Sequence, residues 1–173
     1  MKILIPTNSL VLIIGVSGSG KSTFAKQHFA ATQIVSSDYC RALICDDENN
    51  QSVNQEAFEL LHWLVAKRLA LGKLTVVDAT NVKAASRLPL LNLAKMYGVP
   101  AIAIAFNFEL EFCLQQNVQR THRVVPTEII AEQFQELQSS LPQLVNEGFQ
   151  TVHSLTAPKE IIASGESINF FES

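Results

Sequence analysis

The most constraining feature of this 173-residue sequence is a glycine-rich segment that lies between an apolar run and a helix-forming stretch. The segment reads Gly15-Val16-Ser17-Gly18-Ser19-Gly20-Lys21-Ser22 and holds three of the seven glycines of the chain. Residues 10–14 before it predict a buried strand, and residues 22–31 after it predict a helix. The pattern GxxxxGK[ST] between a strand and a helix is that of a phosphate-binding P-loop. The alternative is an ordinary flexible glycine turn.

The residue types of this P-loop predict contacts with a nucleoside triphosphate. Glycines allow backbone N–H groups to converge on phosphate oxygens at the positive end of the following helix. Lys21 would neutralise the β and γ phosphates, Ser22 would offer its hydroxyl to Mg²⁺, and Thr23 would help to hold the α phosphate. We therefore expect ATP or another nucleoside triphosphate, with Mg²⁺, to bind through Gly15, Ser17, Gly18, Ser19, Gly20, Lys21, Ser22 and Thr23.

The rest of the sequence alternates short apolar strands with longer helical stretches. Strands are predicted over residues 10–14, 33–36, 74–77, 101–108 and 149–155. Helices are predicted over residues 22–31, 53–71, 109–119 and 126–141, with one more ending near Tyr97. This pattern favours an α/β fold, a mostly parallel five-stranded sheet with helices on both faces. We expect Pro89 and Pro126 in the first turns of their helices, Trp63 in the core, and residues 157–173 as an edge strand or a tail.

Composition limits the number of domains, the location and the binding partners that we expect for such a fold. With 47% hydrophobic and 17% charged residues, we expect residues 1–173 to form a single domain. No apolar run approaches the roughly 18 residues of a membrane helix, and the N-terminal segment has no cleavage site, so we expect a cytoplasmic protein without a membrane partner. The three cysteines lack metal-ligand spacing and are expected to be reduced thiols. A net charge of −3 argues against broad nucleic-acid binding and leaves only a local contact.

Asp78 is the residue that distinguishes between classes of P-loop chemistry. It ends the strand predicted at 74–77, where its carboxylate can bind Mg²⁺ through water, and the alternative is a helix N-cap. The next residue, Ala79, is not the water-activating glutamate of many ATP-hydrolysing motors, and the chain has no Asn-Lys-x-Asp guanine-reading segment. These absences favour transfer of the γ-phosphoryl group to a bound acceptor. We therefore expect a P-loop kinase fold.

Asp38 and Arg41 are the candidate acceptor residues. They follow the strand predicted at 33–36, at the sheet edge where substrates of open α/β sheets bind. A carboxylate at Asp38 can orient and deprotonate a hydroxyl group, while the guanidinium of Arg41 binds a phosphate next to it. The alternative is an N-cap aspartate beside a solvated arginine.

Arg120 and Arg123 lie between two predicted helices, in a segment that we expect to form a helical lid over about residues 109–141. A mobile lid can carry arginines onto the transferring phosphate and stabilise the charge of the transition state. The alternative is a solvated helix end whose cations complement the helix dipole.

Four segments, at residues 15–26, 36–41, 72–81 and 117–123, together resemble the kinase module of bacterial polynucleotide kinase-phosphatase, an RNA-repair enzyme. Their Ser-Asp-x-x-Arg and Asp-Ala-Thr-Asn elements are more specific than the P-loop itself. The resemblance covers about residues 1–160 and implies transfer of a γ phosphate to the 5′-hydroxyl of RNA or DNA.

The resemblance also implies a role for each matching residue. It makes Asp38 the general base that contacts the 5′-hydroxyl, Arg41 a ligand of the terminal nucleotide's phosphate, and Arg120 and Arg123 ligands of the donor phosphates. Gln116 stands where some relatives carry another lid arginine, a difference that bears on donor binding. Relatives usually continue into phosphatase and ligase-like domains, so we expect this chain to be an excised or stand-alone kinase domain.

Two other functions stay open on the sequence. The first is a kinase of a small metabolite or nucleotide, with the same fold and a different acceptor. The second is a nucleotide-dependent switch or toxin-like module, in which the P-loop controls conformation.

Overall fold

The apolar, β-branched runs of the chain form the inner strands of a parallel sheet. In the computed structural model, which describes residues 3–121, 123–156 and 168–171, strands β2 (Leu10–Gly15) and β5 (Ala101–Phe106) are buried along their whole length. They adjoin β3 (Ile34–Ser36), β4 (Thr75–Asp78) and β6 (Thr151–Leu155) in the order β3-β4-β2-β5-β6, with every neighbouring pair parallel. The predicted five-stranded parallel sheet is confirmed, although β5 ends two residues earlier than expected.

The described residues form six α-helices around this sheet: α1 (Lys21–His28), α2 (Ser37–Cys45), α3 (Asn54–Ala70), α4 (Ala84–Tyr97), α5 (Leu110–Val118) and α6 (Thr127–Ser140). Helix α3 packs on α2, α4 and the strands β3 and β4, whereas α6 packs on α5 and β2. The buried residues of α3 recur every four positions, the spacing of one helix face; they are Ala57, Leu61, Val65 and Leu69. Trp63 lies off this face and is 56% exposed, so its expected place in the core is wrong.

Several helix ends differ from the sequence prediction. Helix α1 ends at His28, and Ala31–Gln33 forms a separate 3-10 helix. Pro89 lies in the second turn of α4 rather than in the first; Ala85, whose carbonyl loses its usual partner there, is exposed and can be hydrated. Pro126 occupies the N-cap of α6, one position before the first turn. A second 3-10 helix, Gln51–Val53, precedes α3, and a third, Leu141–Asn146, follows α6.

A separate two-stranded sheet joins segments from near the two ends of the chain. Strand β1 (Ile3–Pro6) pairs in parallel with β7 (Ile168–Phe171), with Ile3 opposite Ile168. Ile3 and Ile5 are fully buried. The expected edge strand therefore belongs to this small sheet, and the remainder of residues 157–173 lies outside the described residues. Within the described ranges, no helix is long and apolar enough to cross a membrane.

Candidate nucleotide and acceptor site

The base of the P-loop is braced by the connection between β4 and α4. The Gly15 N–H donates to the Thr80 carbonyl over 2.9 Å, and the buried side chain of Asn81 donates to the Ile13 carbonyl over 2.9 Å. Asn81 adopts a positive φ of 49°, which a short polar residue tolerates better than most. From the sequence, Thr80 and Asn81 were noted only as part of the family resemblance. The structure shows that both residues hold the P-loop in place.

Behind this brace lies a buried arginine that the sequence analysis missed. Arg87 has no exposed surface, and its Nη1 donates to the carbonyls of Asn81 at 2.7 Å and Val82 at 2.9 Å. Its Nε donates to Glu147 Oε2 at 2.7 Å, which pairs the buried charge. An arginine on a helix is most often solvated, and the sequence carried no signal that this one is buried.

Helix α5, in the segment expected to form a lid, packs directly on the P-loop at Gly18. This glycine has a φ of +86°, and a Cβ atom added there would lie 2.2 Å from the Cys113 carbonyl oxygen. Only glycine fits so close to another backbone in this conformation.

Cys113 and Cys40 are buried and Cys45 is half-buried, and all three are free thiols as expected.

Lys21 is the buried cation of the P-loop. It is 7% exposed, and its Nζ donates to the Val16 carbonyl over 2.7 Å. Burial lowers the pKa of Lys21 to about 8; the negative charge of Asp78 opposes this shift, and the positive charge of Arg120 adds to it. Asp38 also acts on this lysine. The fold thus brings predicted residues of four segments near one another: the P-loop, the end of β4, the start of α2 and the loop that carries Arg120 and Arg123.

Ser22 and Asp78 form the candidate metal site. Asp78 is 8% exposed at the end of β4, and burial raises its pKa, while the charge of Lys21 and a hydrogen bond with Ser22 act against that rise. It is not a helix N-cap, because that position of α4 is taken by Lys83. A hydroxyl and a carboxylate suit Mg²⁺. The described residues hold no cluster of three or more metal-binding side chains, so a bound ion would complete its shell with phosphate oxygens and water.

The P-loop itself fits a triphosphate on further grounds. Ser19 is fully buried, and its Oγ has no hydrogen-bond partner among the described residues. Gly20, in the left-handed conformation, caps the N-terminus of α1, where Ser22 and Thr23 expose their side chains in the first turn. An unpaired buried hydroxyl and free helix N–H groups are favourable surroundings for anionic oxygens.

Asp38 lies in the first turn of α2, on the β3 side of the P-loop. The N-cap of α2 is Ser36, whose Oγ accepts from the Tyr39 N–H over 3.4 Å, so the alternative that Asp38 is the cap is wrong. Within the described part of the chain, both hydrogen bonds to the Asp38 carboxylate go to Oδ1, one from Arg41 and one from Arg123 at 3.1 Å. The side chain is 45% exposed, and Oδ2 is available to a ligand.

Arg41 is a buried partner of Asp38 rather than a solvated cation. It is 4% exposed, its Nε donates to the Glu48 carbonyl over 2.7 Å, and its Nη1 donates to Asn54 Oδ1 over 2.9 Å. These contacts fix the guanidinium against α3. The alternative of a solvent arginine is wrong for Arg41.

Arg120 and Arg123 act on different residues of the site. Arg123 donates a hydrogen bond to Asp38, whereas the charge of Arg120 acts on Lys21 in the P-loop. Gln116, on α5, is exposed. His122, between the arginines, lies outside the described residues.

The ends of the arginine loop are joined by one buried side chain that the sequence analysis did not single out. Asn117, 3% exposed, donates through Nδ2 to the Val125 carbonyl at 2.8 Å and accepts from the Val125 N–H at 3.0 Å. This paired contact closes the loop that carries Arg120 and Arg123. The sequence feature that could have indicated this role is a polar residue, Asn117, near the end of a helix where its neighbours predict burial.

The parallel sheet with a P-loop after its central strand, and the helical segment packed on that loop, define a nucleotide-binding domain with a P-loop kinase fold. Over residues 10–144 the sequence matches the AAA_33 family, described as an AAA domain, and the chain belongs to that family. No curated protein matches the sequence.

Solved structures similar to this chain include several P-loop proteins. A Pnkp1/Rnl/Hen1 RNA repair complex gives a TM-score of 0.67 at 20% identity, over 81% of this chain and 46% of that one. AvrRxo1-ORF1:-ORF2 with ATP gives 0.66 at 14% identity, over 91% and 56%. A gluconokinase from Sinorhizobium meliloti 1021 gives 0.56 at 16% identity, over 91% and 87%. The chain thus spans about half the length of the first two, and identities this low show the fold alone.

Proposed function

We propose that the chain is a polynucleotide 5′-hydroxyl kinase, which transfers the γ-phosphoryl group of ATP or another nucleoside triphosphate to the 5′ end of RNA or DNA in nucleic-acid repair. The observation that carries this proposal is the Arg41–Asp38–Arg123 cluster, whose carboxylate acts electrostatically on Lys21. Its carboxylate can receive a hydroxyl proton, and its two guanidiniums can bind the phosphate that follows a 5′-terminal nucleoside. A small neutral alcohol would need only the carboxylate.

On the donor side, the P-loop amides and Lys21 would hold the triphosphate, and Ser22 and Asp78 would hold Mg²⁺. ATP supplies the transferable phosphoryl group, and Mg²⁺ would neutralise part of the charge of its phosphates. Arg120, whose charge reaches Lys21, stabilises the negative charge on the transferring group. The protein thus contributes mainly position and positive charge.

On the acceptor side, Asp38 Oδ2 accepts the hydrogen bond of the 5′-hydroxyl, because Oδ1 is engaged by arginines. The hydroxyl oxygen forms a bond to the γ phosphorus as the bond to the β–γ bridging oxygen breaks, and ADP leaves. The hydroxyl proton passes to Asp38 and then to solvent. Arg41, held by α3, binds the acceptor phosphate and fixes the nucleotide.

Two comparisons support different acceptors. The resemblance in separate motifs, together with the similar structure of an RNA repair complex, favours a polynucleotide. The similarity to a gluconokinase over most of both chains keeps a small-metabolite kinase as the second candidate. A nucleotide-dependent switch would bind ATP without any acceptor-dependent release of ADP.

We further propose that the domain works beside phosphatase and ligase-like domains.

The test is label transfer from γ-labelled ATP to a 5′-hydroxyl oligonucleotide, beside the same oligonucleotide with a 5′-O-methyl block. We expect label only on the unblocked strand, and a loss of roughly a hundredfold or more in kcat for Asp38→Asn, the size of a general-base contribution. Asp47→Asn, at an exposed acidic residue near α2, is the matched control. Near-normal turnover by Asp38→Asn would refute the role of Asp38, and equal labelling of the blocked strand would refute the 5′-hydroxyl as acceptor.

A further inference from the structure

One side chain of α6 is bonded to the P-loop. Gln133 Oε1 accepts the Ser17 N–H over 2.8 Å, across 116 residues of sequence. Ser17 is the third residue of the GxxxxGK[ST] segment, and its amide belongs to the set of donors expected to receive phosphate oxygens. A lid residue thus uses one of the donors on which nucleotide binding depends.

Gln133 and a phosphate oxygen compete for this donor. A backbone amide has one hydrogen, and it cannot make a full bond to two acceptors at once. A charged phosphate oxygen is the stronger acceptor, so the bond from Ser17 should pass to the nucleotide.

The surroundings of Gln133 leave room for its side chain to move. An open groove of about 630 Å³ lies between α6 and the start of α4 and is lined by Gln133 together with Thr80, Ser86 and Glu132. The side chain can therefore rotate into the groove and find polar partners there. Helix α5 stays in contact with the loop through Gly18, so the release concerns α6 alone.

We propose that Gln133 couples occupancy of the P-loop to the lid: its amide oxygen holds the Ser17 N–H while the loop is free, and the triphosphate displaces it and releases α6 from the loop. Gln133 is thus a positioning residue for donor binding. The inference rests on the donor half of the proposed function and is independent of the acceptor.

The test is the Kd of the non-hydrolysable β,γ-imido analogue of ATP with Mg²⁺, measured by calorimetry without acceptor. For Gln133→Ala we expect a Kd roughly two- to fivefold lower than in the unmodified protein, the effect of removing one neutral competing hydrogen bond. For Gln133→Glu we expect a Kd at least roughly tenfold higher, because a carboxylate holds the amide more strongly and repels phosphate. Gln138→Ala, on an exposed position of the same helix outside the lining of the groove, should leave the Kd unchanged.

Melting temperatures without nucleotide establish that each variant is folded. An unchanged or higher Kd in folded Gln133→Ala would overturn the coupling, and the higher value would make Gln133 a direct phosphate ligand. If the unmodified protein failed to bind the analogue, the donor half of the proposed function would fall as well, so the two failures are distinguishable. Opposite shifts in the two variants would support competition, since a purely structural role would not reverse sign between them.

Discussion

Arg123 of the lid segment donates a hydrogen bond to Asp38 of α2 over 3.1 Å, although the two residues are 85 positions apart. The family resemblance implies that Arg123 binds the donor phosphates. In the structure Arg123 shares the Asp38 carboxylate oxygen with Arg41, and under the proposed role of Asp38 this contact lies on the acceptor side. The charge of Arg120 acts instead on Lys21 of the P-loop.

This contact predicts different effects for the two lid arginines. Arg123→Ala should raise the KM for a 5′-hydroxyl oligonucleotide roughly tenfold, the value of one charge-assisted hydrogen bond, and leave the Kd of ATP within about twofold. Arg120→Ala should lower kcat more than it changes the acceptor KM. Steady-state kinetics with each substrate varied in turn separates these effects. If Arg123→Ala raised only the Kd of ATP, Arg123 would instead be a ligand of the donor phosphates, as the family resemblance implies.

Lys21 predicts a dependence of ATP binding on pH. Because burial lowers its pKa to about 8, the free protein loses this proton as the pH rises above 8, while bound phosphates would retain it. ATP affinity should fall by up to roughly tenfold per pH unit above pH 8, and binding should take up protons there. Calorimetry at pH 8.5 in buffers of different ionisation enthalpy measures the uptake. Lys21→Arg should abolish it, and exposed Lys26→Met should not; uptake that persists in Lys21→Arg would contradict the assignment.

The same lysine affects stability with the opposite dependence on pH. Its ordinary pKa is 10.5, so the unfolded chain binds more protons than the folded one between about pH 8 and 10.5. The contribution of Lys21 to the free energy of unfolding should therefore rise across this window. Urea unfolding without nucleotide, in the unmodified protein and in Lys21→Met, gives the difference, and a falling contribution would refute the buried, charged state at neutral pH.

Gly18 predicts a steric effect that can be separated from backbone strain. Gly18→Ala would place a Cβ at 2.2 Å from the Cys113 carbonyl oxygen, whereas a Cβ at Gly98, also at positive φ, meets nothing within 4 Å. We expect Gly98→Ala to cost about 1 kcal/mol in the free energy of unfolding, and Gly18→Ala about 3 kcal/mol or more, with weaker ATP binding. Equal losses in the two variants would contradict the direct contact between α5 and the loop.

Asn117 predicts that loop order can be lost without losing either arginine. Asn117→Ala removes both bonds to Val125 and should lower the free energy of unfolding by about 2 kcal/mol, since two backbone groups lose their partner. It should also lower kcat, because Arg120 and Arg123 are no longer held in place. Gln115→Ala, at an exposed position of the same helix, is the control. Full kcat in Asn117→Ala would show that the loop is ordered by other contacts.

The sequence predicted best what depends on neighbouring residues. The strand, glycine loop and helix around Lys21 follow each other directly, and Asp38 and Asp78 could be placed at one edge because parallel strands end there. It did not predict the Asp38–Arg123 or Gln133–Ser17 contacts, because periodicity carries no information on pairs this far apart.

The missed small sheet has the same cause. Strand β1 has only four residues and ends in a proline, so its pattern is weak without its distant partner β7. Arg87 was missed because a charged residue is buried only when its partners, here Glu147 and the carbonyls around Asn81, converge in three dimensions.

The identity of the acceptor is tested most directly by comparing acceptors in separate reactions. The initial rate of ADP release should be measured with ATP and one acceptor at a time, at equal concentration: a 5′-hydroxyl oligoribonucleotide, the matching oligodeoxyribonucleotide, a free nucleoside or gluconate. We expect at least one oligonucleotide to raise the rate roughly a hundredfold over the nucleoside and gluconate, because among these acceptors only a polynucleotide offers Arg41 and Arg123 a phosphate. Faster release with gluconate or the nucleoside than with either oligonucleotide would contradict it.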